Sequence, residues 1–125
     1  LHMLNKYTLN KLHRLMMSEK TIYSAYKLFF GTLTSSNRLK ILNYLRSGPK
    51  NVSEIHDKLK TERTNISHDL RRLTRCGFVK SKKDGKFKYY SLNEETIVPL
   101  LDMIDAHMAE YCIKIVSKKR WKNEK

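Results

Sequence analysis

Apolar residues recur at helical spacing through most of this 125-residue chain and change to strand spacing once, near residue 78. From Leu4 to Phe30 they fall at Leu12, Leu15, Met16, Ile22, Tyr23, Tyr26, Phe29 and Phe30. That spacing predicts a long helical segment, interrupted near Ser18 by a Ser-x-x-Thr start signal. Ser36 is expected to cap the next helix, whose inward face is Leu39, Ile41, Leu42 and Leu45 and whose end is Ser47-Gly48. Asn51-Val-Ser-Glu54 is a capping-box pattern that opens a short helix carrying Val52, Ile55 and Leu59. After Lys60-Thr61 a further helix runs to about Arg75, with Ile66, Leu70 and Leu73 at i, i+4 and i+7. Phe78–Lys83 and Lys86–Leu92 then flank Asp84-Gly85, a strong hairpin signal, and the second arm has the aromatic content that strands prefer. Asn93 is expected to cap a last long helix through Ile97, Leu100, Leu101, Ile104, Met108, Tyr111, Cys112 and Ile115, with Pro99 tolerated in its first turns.

All four glycines (Gly31, Gly48, Gly77, Gly85) fall at expected joints, and Pro49 follows Gly48 as it would beyond a helix end. No linker, repeat or low-complexity tract divides the chain, so one domain is expected. The element order predicts a mainly α fold with a small β-hairpin. Two short helices joined by a tight turn and followed by a basic hairpin describe a winged helix-turn-helix.

Charge sharpens this reading. The formal net charge is +14, from 26 Lys plus Arg against 12 Asp plus Glu. Residues 58–90 alone carry +8, whereas 91–117 carry −4. A basic block inside a folded region is the electrostatic footprint of a nucleic-acid binder. With 40% apolar residues the chain is no disordered polycation. No apolar run approaches the ~20 residues that span a bilayer. The first apolar residues are interleaved with polar and basic ones, so no secretory leader and a cytoplasmic location are expected. Leu1 and His2, ahead of Met3, are assigned no function.

The 64–75 helix buries Ile66, Leu70 and Leu73 and leaves donor-rich residues for other directions. Arginine reads guanine and asparagine reads adenine in a major groove, and the helix N-terminus comes closest to the bases. Base readout is therefore expected from Arg63, Thr64, Asn65, Ser67 and His68. Phosphate and wing contacts are expected from Asn51, Ser53, Arg71, Arg72, Arg75, Lys82, Lys83, Lys86 and Lys88.

Three blocks resemble one known family. Phe30-Gly-Thr-Leu-Thr-Ser-Ser-Asn-Arg-Leu-Lys-Ile-Leu-Asn-Tyr-Leu45 is similar to the LADPTRLRIL-LL opening of ArsR/SmtB-type repressors. Thr64 to Val79 resembles their S-x-HL-x-x-L-x-x-AGLV recognition segment, and Lys83 to Leu92 their REGR-x-x-YYRL wing. The resemblance spans about residues 22–116. It implies a homodimer, with the first and last helices packed together and one recognition helix per half-site of an inverted-repeat operator. On that basis residues 3–33 and 93–118 are expected to dimerise, 36–92 to bind DNA, and 119–125 to form a basic tail. Leu12, Leu15, Tyr26, Leu101, Ile104, Met108 and Ile115 are the expected dimer residues.

Many relatives release DNA on binding metal. The thiolate positions of one family site correspond here to Asn51 and Ser53, which supply no thiolate. Asp105-Ala-His107 matches half of a second family site, but its other half would fall near Lys118 and Trp121, which cannot ligate. Asp105 and His107 are thus weak metal candidates; no metal or other cofactor is expected. Cys76 is expected to be a packed small side chain before Gly77, and Cys112 to lie near the inward stripe of the last helix. No phosphate loop, GxSxG elbow or HExxH motif points to an enzyme. The expected function is a sequence-specific, double-stranded-DNA-binding regulator, a homodimeric repressor, with room for an unidentified small-molecule effector and no membrane partner. The alternatives are a nonspecific architectural DNA-binding protein and a metal- or thiol-responsive repressor using the C-terminal helix.

Overall fold

The computed structural model describes residue 11 and residues 13–118. A helical turn ends at Leu15, and the chain restarts at Ser18, whose side chain accepts from the Thr21 amide and caps α1 (Glu19–Leu33). The break expected near Ser18 is therefore present. Gly31 is not a joint: it lies inside α1, which continues to Leu33. Helix α2 (Ser36–Leu45) is capped by Ser35, one residue earlier than expected. Its Ile41, Leu42 and Leu45 are buried, but Leu39 is turned outward. Asn51 caps α3 (Val52–Leu59) with both bonds of the capping box. Lys60 takes a left-handed conformation at its end, and the His56 ring nitrogen contacts the Thr61 carbonyl, tightening the turn into α4 (Arg63–Arg75).

At the end of α4 the chain reverses through Gly77, whose φ of +77° suits a residue without Cβ. Strands β1 (Val79–Asp84) and β2 (Phe87–Leu92) pair antiparallel, Val79 opposite Leu92 and Asp84 opposite Phe87. The two turn residues are thus Gly85 and Lys86, one position later than expected, with positive φ at Gly85. Glycine at the first central position matches the right-handed twist of the strands.

The Asn93 side chain accepts from the amides of Glu95 and Thr96, so it caps a turn that leads into α5 (Ile97–Glu110) rather than the helix itself. The expected single long helix is interrupted at Tyr111, and α6 (Cys112–Val116) follows. Tyr111, Cys112 and Ile115 are exposed, not inward-facing.

One core gathers Ile41, Leu42 and Leu45 of α2, Ile55 of α3, Ile66, Leu70 and Leu73 of α4, and Phe78, Val79, Leu92, Ile97 and Leu101. Phe29 and Leu33 seal it from α1; the Phe29 and Phe78 rings lie 5.1 Å apart. Residues 19–33 and 97–116 therefore flank a helix-turn-helix-hairpin unit, which positions α4 and the hairpin on its outer side.

Candidate nucleic-acid interface

Helix α4 turns by about 100° per residue, so its buried stripe dictates what the opposite side presents. Thr64, His68, Arg71 and Arg75 lie opposite Ile66, Leu70 and Leu73, and all four are exposed. Ser67 and Arg63 occupy one flank. There the Arg63 guanidinium donates to the Ser53 hydroxyl at 3.1 Å, which fixes its direction across α3. Asn65 is exposed on the other flank. All five residues expected to read bases are thus at the N-terminal half of one accessible helix. No side chain caps the start of α4, so the amides of its first turn are open.

Two residues expected to contact phosphate are partly engaged within the chain. Arg72 is half-buried, and its Nε donates to Thr32 Oγ1 of α1 at 3.1 Å, because its flank faces α1. It belongs to the helix-to-helix packing rather than to the free surface. Asn51 has its carbonyl oxygen and backbone amide engaged by Glu54, leaving the side-chain NH2 as its available donor.

The hairpin carries lysines on both faces, since side chains alternate along a strand. Lys83 and Lys88 are directly opposite each other on the face shared with Tyr90; Lys80 and Lys82 share the other face with Tyr89; Lys86 sits at the tip. The ammonium of Lys88 lies 5.6 Å from the Tyr90 ring centre. Like charges directly opposite destabilise a strand pair, so the Lys83–Lys88 pair contributes nothing to the stability of the hairpin. Lys80 was missed in the sequence reading, although period-two alternation from Lys82 marks it. Lys50 pairs through its backbone with Tyr90 at 3.0 and 2.8 Å, while its ammonium donates to the Gly48 carbonyl at 3.1 Å and lies 4.9 Å from the Tyr44 ring centre. That contact spans forty residues of sequence, and no local pattern signals it.

The terminal helices divide differently from expectation. Leu101 is buried in the core of its own chain. Ile104 and Met108 are half-buried, and Leu15, Tyr26 and Ile115 are exposed. Leu12 lies outside the described residues. On α1 the rings of Tyr23, Tyr26 and Phe30 succeed one another at 6.3 Å spacing and lie open.

The two metal candidates are otherwise engaged. Arg46, just past α2, donates to Asp102 at 2.6 Å and also to Asp105. The hydrogen bond to Asp105, with the charges of both carboxylates, outweighs partial desolvation and raises the Arg46 pKa above its ordinary value. His107 packs against Tyr111, 4.8 Å between ring centres. Among the described residues no three His, Cys, Asp or Glu side chains converge.

Comparison with known proteins agrees with this geometry. Residues 35–81 match the model of the bacterial regulatory protein arsR family. The chain is 32% identical over 90 residues to the HTH-type transcriptional regulator YbzH of Bacillus subtilis, covering 60% of this chain and 90% of that one. The chain belongs to the arsR family. As such it is a DNA-binding, helix-turn-helix transcriptional regulator. It is also 32% identical over 82 residues to the cadmium resistance regulatory protein CadC homolog of Staphylococcus aureus, covering 65% of this chain and 68% of that one. The crystal structure of Mycobacterium tuberculosis Rv0081 superposes with a TM-score of 0.70 at 29% identity, over 77% of this chain and 97% of that one. The fold is the winged helix-turn-helix of this family. Among the described residues no helix is long and apolar enough to cross a membrane.

Proposed function

We propose that this arsR-family regulator is a cytoplasmic homodimer that represses transcription by reading an inverted-repeat operator, and that it has no catalytic activity. In this reading α4 enters the major groove, where Arg63, Thr64, Asn65, Ser67 and His68 reach base edges. Ser53, Arg71, Arg75 and the wing lysines meet phosphates and set the register, with the Asn51 amide group a further donor. The observation that carries the proposal is the pairing of one donor-rich exposed helix face with a hairpin whose lysines oppose each other. Dimerisation rests on the open aromatic face of α1: Ile22, Ala25, Tyr26, Phe29 and Phe30, with Arg14 and Met17 just before the helix, line a largely apolar hollow of about 470 Å³. Residues 19–33 and 97–116 supply the dimer contact, and 36–92 the DNA contact.

The test is selection of bound duplexes from a random pool by the purified chain, at physiological salt and with nonspecific competitor. An inverted repeat with half-sites about one helical turn apart is the expected product. Asn65→Ala then relaxes base preference at one position per half-site by ~1–3 kcal/mol. Featureless, salt-labile recovery overturns the proposal in favour of an architectural binder. The similarity to a cadmium resistance regulator favours metal-responsive control as the second reading. It requires Asp105 to leave Arg46, so binding of zinc or cadmium abolished by Asp105→Asn would establish it.

A further inference from the structure

Thr32 is the one fully buried polar residue among those described, and it sits in a small polar junction of three helices. Its hydroxyl donates to the Leu28 carbonyl at 2.7 Å and accepts from Arg72 Nε of α4 at 3.1 Å. Its carbonyl accepts from Arg38 Nε of α2 at 2.7 Å. The same guanidinium donates from Nη2 to the Gly31 carbonyl at 3.2 Å and from Nη1 to Asp69 of α4 at 3.1 Å. Both Arg38 and Asp69 side chains are only 15% exposed. Arg38 thus spends three of its five donors joining the end of α1 to the flank of α4.

We infer that Arg38 and Asp69 are positioning residues that lock the recognition helix to the dimerisation helix and so set the operator half-site spacing this protein reads. The inference rests on the homodimer reading above. Apolar contacts are non-directional and tolerate sliding, whereas a guanidinium fork holds its partners in one plane at fixed angles. Direction matters here because α4 side chains reach ~5–6 Å from the helix axis. A rotation of about 10° displaces their tips by ~1 Å, larger than the ~0.5 Å span of good hydrogen-bond distances. Asp69 and Arg72 are three residues apart on one flank, so the two ties together resist both rotation and tilt.

The test uses the full chain and two variants, Asp69→Ala and Arg38→Lys. The first leaves the Arg38 bonds to α1 intact; the second keeps the charge and loses the fork. Each is checked for thermal midpoint and for dimerisation by sedimentation. Binding is then measured on the selected operator, on versions with one base pair added or removed between half-sites, and on random DNA. The wild type is expected to lose about tenfold or more on either altered spacing. Both variants should narrow that penalty to about threefold or less, with unchanged affinity and salt dependence on random DNA. A structural role alone would lower the midpoint without changing the spacing penalty. A dimeric wild type whose tenfold penalty persists in both variants overturns this inference alone. A monomeric wild type, or one that selects no repeat, overturns the homodimer reading and this inference with it.

Discussion

Replacing Lys83 by glutamate separates what the wing does for the fold from what it does for DNA. In the register of the hairpin Lys83 stands directly opposite Lys88. Two ammonium groups ~7 Å apart in water repel by about 0.6 kcal/mol, and ~0.1 M salt halves that. Lys83→Glu turns the repulsion into an attraction of similar size, a gain of ~0.6 kcal/mol at that salt, within the range measured for exposed pairs. Lys83 is the better choice than Lys88, because the Lys88 ammonium also rests over the Tyr90 ring and its loss would cancel part of the gain. The effect on DNA has the opposite sign. Losing one phosphate contact per wing lowers the slope of log K against log salt by ~0.9 and costs about fivefold near 0.15 M salt, or about thirtyfold for two wings. Urea denaturation and fluorescence anisotropy on an operator duplex at several salt concentrations read the two effects. A less stable variant would refute the cross-strand charge argument. An unchanged salt slope would remove this face of the wing from the DNA interface.

Asn51→Ala should lower stability by about 1 kcal/mol through loss of the capping box of α3, read as a lower urea midpoint. DNA affinity per folded molecule should fall by no more than about twofold, since only the side-chain NH2 of Asn51 is available to a phosphate; a larger loss would make it a principal phosphate contact. Gly77→Ala meets no atom within 4 Å of the added Cβ, so its cost is the left-handed backbone alone, ~1–2 kcal/mol. Gly77→Asn should lose less in the same denaturation experiment, and equal losses would contradict this assignment.

Local patterns carried far in this chain. The capping box at Asn51 and Glu54 is visible in sequence because both its bonds form within four residues. The stripe Ile66, Leu70, Leu73 repeats at the helical period and is buried as read. By elimination the same stripe indicated which residues of α4 face outward. Errors of one residue at Ser35 and at the Gly85-Lys86 turn arise where two adjacent residues have similar propensities and only the exact bonding chooses between them.

What the amino-acid order determined by itself is therefore the element types, the core stripe of each helix and the basic character of α4 and the hairpin, all products of short-range periodicity and charge. Only the tertiary structure decided which charges stay free. Arg72 and Arg75 both read from sequence as free cations beside the buried stripe, yet one is drawn to Thr32 and the other is exposed. Asp105 reads as half of a metal motif but meets Arg46, fifty-nine residues earlier. Lys50 becomes part of the wing only through Tyr90. Each outcome depends on a partner distant in the chain. A side chain's own spacing says which way it leaves its helix, and only packing says what it finds there.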